Sequence, residues 1–177
     1  MPTQLKSDSE MVSSIRCVFS DVDGVMTNGE ITYGSSGEEL KTFHVRDGLG
    51  VKLWMRSGHD FCIITARESD AVQRRAQELG IESVHQGRAD KLLVATEILA
   101  KRNLDWENVC YIGDDLPDLP VMIRSGLAVS PADGAKEVCE SADWIMKSEG
   151  GRGVVRECLE RILRAQGRWE NCLASLG

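Results

Sequence analysis

The 177-residue sequence lacks a long hydrophobic run, a signal-peptide core and an excess of positive charge. Its apolar runs are too short to cross a bilayer, and residues 1–14 are too polar for a secretory signal. The formal net charge of −7 argues against nucleic-acid phosphates or an anionic membrane surface as the main partner. We therefore expect a cytoplasmic protein that binds neither nucleic acid nor membrane.

The 6 cysteines form no C-x-x-C pair and no cluster with the 3 histidines. Cys17 and Cys62 lie inside apolar runs, which is typical of buried thiols in a reducing compartment and not of a disulfide framework or a zinc site. The sequence also has no G-x-S-x-G, no Walker-type glycine loop and no G-x-G-x-x-G. The sequence therefore gives no motif support for a serine hydrolase, a P-loop protein or a dinucleotide-binding protein.

Short apolar runs alternate along the chain with amphipathic stretches. The predicted strands are 17–19, 61–64, 109–112, 127–129 and 144–146, and the predicted helices are 49–56, 69–79, 90–102 and 153–165. This alternation predicts an α/β fold with a doubly wound parallel sheet that helices cover on both faces. At this length we expect a single domain, 1–177.

Two segments depart from the alternation. Apolar runs on both sides of the glycine/serine turn 34–37 predict a β-hairpin over about 30–45, with its second strand at 39–45. An isolated hairpin is marginal in water, so we expect it to pack on another part of the protein, with a second subunit as one candidate. Residues of about 166–177 have weak periodicity and no evident core face, so we expect a mobile tail that folds over a neighbouring active site.

Polar side chains follow the predicted strands at their carboxyl ends. Asp21 and Asp23 follow the first strand, Thr65 follows the second and Asp114 follows the third. Ligands of open parallel sheets bind at this edge, so we expect these side chains to converge there with Lys91, at the start of a helix. Further polar or loop positions at the same strand ends are Ala66, Arg67, Asp115 and Asp118.

This set of residues suits phosphoryl transfer. Asp21 and Asp114 are natural carboxylate ligands of Mg²⁺, and the metal with Lys91 offsets the repulsion between an attacking carboxylate and a phosphate. Asp21 is the candidate nucleophile and Asp23 the candidate general acid and base. Thr65 and nearby backbone N–H groups are expected to hold the phosphoryl oxygens. A lone D-x-D-G turn is weak support. The joint occurrence at successive strand ends carries the prediction.

The same residues resemble the motifs of the haloacid dehalogenase superfamily. The matching segments are DVDGVMT at 21–27, ITAR at 64–67, Lys91 and GDDLPD at 113–118. More narrowly, FHVRDGLG at 43–50 and GGRGVVRE at 150–157 are similar to segments of the 3-deoxy-D-manno-octulosonate 8-phosphate phosphatase family. The resemblance covers about residues 15–166. Ala66, where the family usually has glycine, and Asn28, where aspartate is common, depart from the pattern.

The resemblance implies a Rossmann-like, capless fold and magnesium-dependent hydrolysis through an aspartyl-phosphate on Asp21. It implies that Asp23 also binds the metal through its backbone carbonyl, that Asp114 completes the ligands and that Asp118 supports them. It further implies a homotetramer in which the hairpin of one subunit helps cover the active site of the next. A phosphorylated sugar acid is the implied substrate, in lipopolysaccharide biosynthesis. The candidate substrate-binding residues are Thr65, Ala66, Arg67, Lys91, Arg46 and Arg152. The arginines are included because a guanidinium group binds carboxylate or phosphate in bidentate fashion.

Two alternatives remain open at this point. A sister phosphatase acts on nine-carbon nonulosonate 9-phosphates, but that branch tends to carry an acidic residue after its threonine, where this chain has Arg67. A catalytically silent tetramerisation domain is the other alternative. Such domains can lose catalytic carboxylates, whereas Asp21, Asp23 and Asp114 are all present here.

Overall fold

A parallel sheet forms the centre of the computed structural model, which describes residues 7–175. The strands are β1 (Cys17–Ser20), β2 (Thr32–Tyr33), β3 (Glu39–Leu40), β4 (Asp60–Ile64), β5 (Ser83–His85), β6 (Val109–Ile112), β7 (Leu127–Ser130) and β8 (Trp144–Ile145). Six of them form one sheet in the order β5-β4-β1-β6-β7-β8, with every neighbouring pair parallel. The strands β2 and β3 form a separate antiparallel hairpin.

Helices cover the sheet on both faces. They are α1 (Asp8–Val12), α2 (Val45–Arg56), α3 (Asp70–Leu79), α4 (Lys91–Arg102), α5 (Leu119–Met122), α6 (Lys136–Ser141), α7 (Val154–Ala165) and α8 (Trp169–Ala174). Side chains of α1, α2, α3, α7 and α8 pack in one apolar cluster, and those of α4, α5 and α6 pack in another. Neither these helices nor any other in residues 7–175 combines the length and apolarity needed to cross a bilayer.

The strands β1 and β6 are buried at every residue. Alternate side chains explain why: Val18 points into one cluster, while Cys17 and Phe19 point into the other. The doubly wound parallel sheet is thus confirmed, with the predicted strands reproduced to within one residue at each end. Sequence reasoning missed β5, which is only three residues long and half-buried, so it carries no run of core positions.

The helix α2 begins at Val45, four residues before its predicted start, and ends as predicted at Arg56. Gly48 and Gly50 lie inside it and lower its helical propensity, which hides the first turn from sequence reasoning. Close packing explains the second glycine, because a Cβ on Gly50 would lie 3.1 Å from the Cα of Arg156 in α7. A side chain at position 50 would therefore make a tight contact with α7, and glycine relieves it.

The hairpin lies directly after the first strand, as predicted, but its second strand is shorter than predicted. That strand ends at Leu40, and Val45 already belongs to α2. The hairpin leaves apolar side chains exposed: Ile31 is 53% exposed, Tyr33 65% and Leu40 51%. Between β1 and α2, no other strand or helix of at least one full turn is present in the described residues.

The predicted tail differs more strongly from expectation. Residues 169–174 form α8, in which Trp169 and Cys172 are buried in the core cluster of α7. Arg168 also donates a hydrogen bond of 3.1 Å to the carbonyl oxygen of Ser57. The expectation of a tail without a core face is therefore wrong for residues 166–175, and residues 176–177 lie outside the described part of the chain.

Candidate active site

The carboxyl ends of β1, β4 and β6 bring the predicted site residues into one pocket. The register pairs Ser20 with Ile112, so the residues that follow these two strands emerge side by side. The backbone N–H of Asp21 donates to the carbonyl oxygen of Ile112 at 3.0 Å, which continues the ladder into the site. The resulting pocket has a volume of about 270 Å³. Its lining comprises Asp21, Asp23, Gly29, Thr65, Ala66, Arg67, Lys91, Asp114, Asp115, Pro117 and Asp118.

Lys91 is a buried cation between two carboxylates. Its Nζ lies 3.0 Å from Oδ1 of Asp21 and 2.7 Å from Oδ1 of Asp118, and the residue is 4% exposed. Burial lowers the pKa of Lys91, but the charges of Asp21 and Asp118 outweigh it and leave that pKa above its usual value. Lys91 therefore stays charged and brings a fixed positive charge to the pocket.

Asp118 is fully buried, and both of its carboxylate oxygens accept hydrogen bonds. Its Oδ1 accepts from the hydroxyl of Tyr111 at 2.6 Å as well as from Lys91. Its Oδ2 accepts from the backbone N–H groups of Asp114 at 3.0 Å and Asp115 at 3.3 Å. With its hydrogen bonds committed in this way, Asp118 holds the loop after β6 and orients Lys91.

The carboxylates of Asp21 and Asp114, unlike that of Asp118, are not fully hydrogen-bonded. Oδ1 of each is buried and accepts no hydrogen bond within residues 7–175, although Asp21 Oδ1 lies 3.0 Å from Nζ of Lys91. Burial and neighbouring carboxylates raise the pKa of Asp21 to about 6 and that of Asp114 to about 8, with Lys91 opposing both shifts. Lys91 therefore offsets the negative charge of Asp21 and Asp114 only in part, and a hard divalent cation would neutralise the remainder.

Three carboxylates lie close enough together to bind one metal ion. One carboxylate oxygen each from Asp21, Asp114 and Asp118 lie within 4.8 Å of one another. The buried Oδ1 atoms of Asp21 and Asp114, which accept no hydrogen bond from the described residues, fit a divalent cation, whereas both oxygens of Asp118 already accept hydrogen bonds from protein donors. Asp23, the third residue predicted at the metal, is expected there through its backbone carbonyl, and its side chain pairs with Lys41 of the hairpin.

The turn after Asp23 requires glycine. Gly24 has φ +90°, and a Cβ there would lie 2.0 Å from Oδ2 of Asp114. The loop at 150–153 packs on the other side of the turn, since a Cβ on Gly150 would lie 2.0 Å from the carbonyl oxygen of Gly24. Gly151 donates to the carbonyl oxygen of Val25 at 2.9 Å. The glycine-rich segment thus holds the acidic turn in place.

Two residues of the hairpin contact Asp23 and Arg67, which line the pocket. Lys41 forms a short ion pair with Oδ1 of Asp23, and its Nζ lies 3.0 Å from Oε1 of Glu39. Arg67 pairs closely with Oε2 of Glu39 and lies 3.9 Å from Oδ2 of Asp23. Sequence reasoning missed Glu39 and Lys41. The Glu39-Leu40-Lys41 alternation was the available signal, but a hairpin outside the sheet gives no indication of which way its faces point.

The structure does not bring Arg46 and Arg152 into this pocket within one chain. Both line a separate groove of about 840 Å³ beside the start of α7. Thr65, Ala66 and Arg67 do line the acidic pocket, and Thr65 is 2% exposed. The predicted substrate residues therefore divide into two groups in space.

Comparison with known proteins places this arrangement in a class. A family model described as haloacid dehalogenase-like hydrolase matches residues 83–157. The 3-deoxy-D-manno-octulosonate 8-phosphate phosphatase of Yersinia pestis is 44% identical over 161 residues, which are 91% of this chain and 86% of that protein. The same phosphatase of Escherichia coli K12 is 43% identical over 155 residues, 88% of this chain and 82% of that protein.

Solved structures agree with this class. The crystal structure of the Yersinia pestis phosphatase superposes with a TM-score of 0.91 at 43% identity, covering 94% of this chain and 90% of that one. The phosphatase of Moraxella catarrhalis, in complex with magnesium ion, phosphate ion and a KDO molecule, has a TM-score of 0.93 at 38% identity, covering 96% and 98%. Within the haloacid dehalogenase-like hydrolases, this chain belongs to the 3-deoxy-D-manno-octulosonate 8-phosphate phosphatase family.

Proposed function

We propose that this chain is a magnesium-dependent phosphatase that converts 3-deoxy-D-manno-octulosonate 8-phosphate into the free sugar acid and phosphate. One observation carries the proposal: the carboxylates of Asp21 and Asp114 each place a buried Oδ1 that accepts no hydrogen bond from residues 7–175 in a pocket where Lys91, 3.0 Å from Asp21 Oδ1, supplies a positive charge. The relatives of that name at 43–44% identity support the choice of substrate. We place the reaction in the cytoplasm and treat residues 1–177 as one domain.

The reaction proceeds by two successive displacements at phosphorus, with Asp21 as nucleophile and Asp23 as general acid and base. A carboxylate oxygen of Asp21 attacks phosphorus, the bond from phosphorus to the sugar oxygen breaks, and Asp23 donates a proton to that leaving oxygen. Water then attacks the phosphorus of the aspartyl-phosphate while Asp23 accepts its proton. The bond from phosphorus to Asp21 breaks, and its electron pair returns to the carboxylate as phosphate leaves.

The remaining residues bind and orient. The Thr65 hydroxyl lies at the end of β4 beside the acidic turn, where it can hold a phosphoryl oxygen. Lys91 stabilises negative charge on the transferred group. Asp21 and Asp114, with the backbone carbonyl of Asp23, would hold Mg²⁺, which supplies Lewis-acid charge neutralisation at the phosphoryl oxygens. Arg67 is placed at the pocket mouth for the sugar acid's carboxylate.

We further propose a homotetramer built through the hairpin. Ile31, Tyr33 and Leu40 expose apolar surface that an isolated two-stranded hairpin does not bury. Arg46 and Arg152 lie away from the acidic pocket of their own chain, so their proposed contact with substrate falls at a neighbouring subunit. Light scattering of Leu40→Glu should show smaller species than the parent, whereas Leu173→Glu, also at an exposed leucine, should leave the mass unchanged.

A substrate panel tests the proposed function. Phosphate release should be fastest with the eight-carbon 8-phosphate, slower with a nine-carbon nonulosonate 9-phosphate, and absent in EDTA or in Asp21→Asn. Faster turnover of the nine-carbon compound would assign the chain to the sister activity. Unchanged turnover in Asp21→Asn would remove Asp21 as the nucleophile. A complete lack of turnover by the parent protein with magnesium would support the silent tetramerisation domain.

A further inference from the structure

The hairpin places Lys41 against the carboxyl group of Asp23, which the proposed mechanism uses as general acid and base. The side chain of Lys41 is 2% exposed, and its Nζ forms an ion pair with Oδ1 of Asp23. Lysines are almost never fully buried unless paired, and here both partners are carboxylates, Asp23 and Glu39. Such burial marks a specific electrostatic contact and not a solvated surface charge.

The surroundings of Asp23 leave Lys41 as its main constraint. Lys91 holds the carboxylates of Asp21 and Asp118, and Asp118 in turn holds the backbone of Asp114. Asp23 lies beyond that edge, on the turn, and its side chain is 21% exposed. Nε of Arg67 lies farther away, 3.9 Å from Oδ2 of Asp23, and that guanidinium pairs more closely with Glu39.

Glu39 in turn fixes Lys41. Glu39 and Lys41 lie on either side of Leu40 in the chain and contact each other at 3.0 Å, whereas Leu40 between them is 51% exposed. Two cations and two carboxylates (Lys41, Arg67, Asp23 and Glu39) therefore form one network. The charges in this network sum to zero, so the hairpin can close on the turn without repulsion.

We propose that Lys41 is a positioning residue that orients Asp23 toward the leaving oxygen of the substrate. The inference rests on the proposed function, because it assumes that Asp23 donates the proton in the first displacement. Lys41 touches Asp23 through one carboxylate oxygen, Oδ1, and leaves Oδ2 on the side of the pocket that also holds Arg67. A carboxyl group that rotates freely protonates the leaving oxygen less often.

Leaving-group dependence separates this role from a structural one. An alkoxide leaves poorly without a proton, whereas p-nitrophenolate leaves readily without one. The parameter kcat/KM reports steps through departure of the leaving group, so it isolates the first displacement. Asp23→Asn should therefore lower kcat/KM far more for the sugar-acid phosphate than for p-nitrophenyl phosphate.

The test measures both substrates, with magnesium, in Lys41→Met, Lys41→Arg and the parent protein. For Lys41→Met we expect kcat/KM to fall by roughly tenfold to a hundredfold on the sugar-acid phosphate and by less than about threefold on p-nitrophenyl phosphate. Lys41→Arg keeps the charge and should restore most of the loss. Lys136→Met is the matched control, because the side chain of Lys136 is 81% exposed and its ion pair, with Glu140, is a long one at 3.7 Å.

The outcomes distinguish a failure of the proposed role of Lys41 from a failure of the proposed phosphatase function. An equal loss on both substrates in Lys41→Met would assign Lys41 to general folding of the site and overturn the inference. Equal activity of Lys41→Met and the parent would overturn it as well. If the parent itself turns over neither substrate with magnesium, the proposed function fails and the inference fails with it.

Discussion

The two sides of the pocket are built in different ways. On one side, Asp21, Lys91, Asp114 and Asp118 stand on ends of a buried sheet and its helices, and Asp118 accepts four hydrogen bonds. On the other side, Asp23 meets a two-stranded hairpin that lies outside the sheet. We call these the sheet side and the hairpin side of the site.

The difference shows which parts of the site tolerate change. The sheet side is buried, so each missing charge leaves another charge unpaired in a low-dielectric region. On the hairpin side the side chain of Lys41 is buried, but that of Asp23 is 21% exposed and that of Arg67 41% exposed, so water can replace a lost partner of either. We therefore expect changes on the sheet side to cost both stability and activity, and changes on the hairpin side to alter catalysis or affinity with little loss of stability.

The largest effect is expected for Lys91→Met. The substitution leaves Asp21 and Asp118 facing each other without the cation that lies 3.0 and 2.7 Å away. We expect the unfolding free energy to fall by about 3–5 kcal/mol, as for a broken buried ion pair, and kcat/KM to fall by roughly a thousandfold. Denaturant titration and phosphate release measure the two. Stability equal to that of Lys136→Met would contradict the sheet-side account.

A smaller loss is expected for Gly24→Ala, and Gly58→Ala is its control. Both glycines have similar positive φ, +90° and +86°, but only at Gly24 does a Cβ meet Asp114, at 2.0 Å. Both variants should lose about 1–2 kcal/mol for the left-handed backbone. Only Gly24→Ala should also lose magnesium affinity, measured by calorimetry. Equal affinity in the two variants would show that the turn does not position Asp114.

Magnesium and pH should act together on the sheet side. The pKa of Asp21 is raised to about 6 and that of Asp114 to about 8, from 3.8, so the folded protein binds these protons more tightly than the unfolded chain. Their stabilising contribution is present below pH 3.8 and is lost as pH rises through 6 to 8. In EDTA we therefore expect Tm to fall by several degrees between about pH 5.5 and about pH 8.5.

Magnesium binds the ionised carboxylates, so the rise in Tm on its addition should be larger at the higher pH. Thermal unfolding with and without magnesium measures this, and Asp114→Asn should remove most of the pH dependence. A magnesium effect that is equal at both pH values would argue against binding at Asp21 and Asp114.

The smallest effect is expected on the hairpin side, for Glu39→Gln. The ion pairs of Glu39 hold its pKa below the usual value, but its side chain is 17% exposed and Arg67 is 41% exposed. We expect a stability change within about 1 kcal/mol. Because Arg67 is released from Glu39, KM for the sugar-acid phosphate should fall by about twofold to threefold. A tenfold rise in KM would show instead that Glu39 presents Arg67 to the substrate.

The same division explains what the sequence could predict. Parallel strands buried on both faces, such as β1 and β6, have continuous apolar runs, so their ends and the positions of Asp21 and Asp114 follow from the pattern. The orientation of the hairpin depends on ion pairs between Lys41, Asp23 and Glu39, which no periodicity encodes. The α8 helix was missed because only Trp169 and Cys172 carry its core face.

The most direct test of the central claim is to trap the phosphoryl group on Asp21. Asp23→Asn, mixed with magnesium and p-nitrophenyl phosphate and quenched rapidly in acid, should accumulate a covalent phosphoryl adduct, because the second displacement lacks its base. Peptide mass spectrometry should find that adduct on Asp21, and Asp21→Asn should show none. Turnover with no adduct at any time, or an adduct on another residue, would contradict the account.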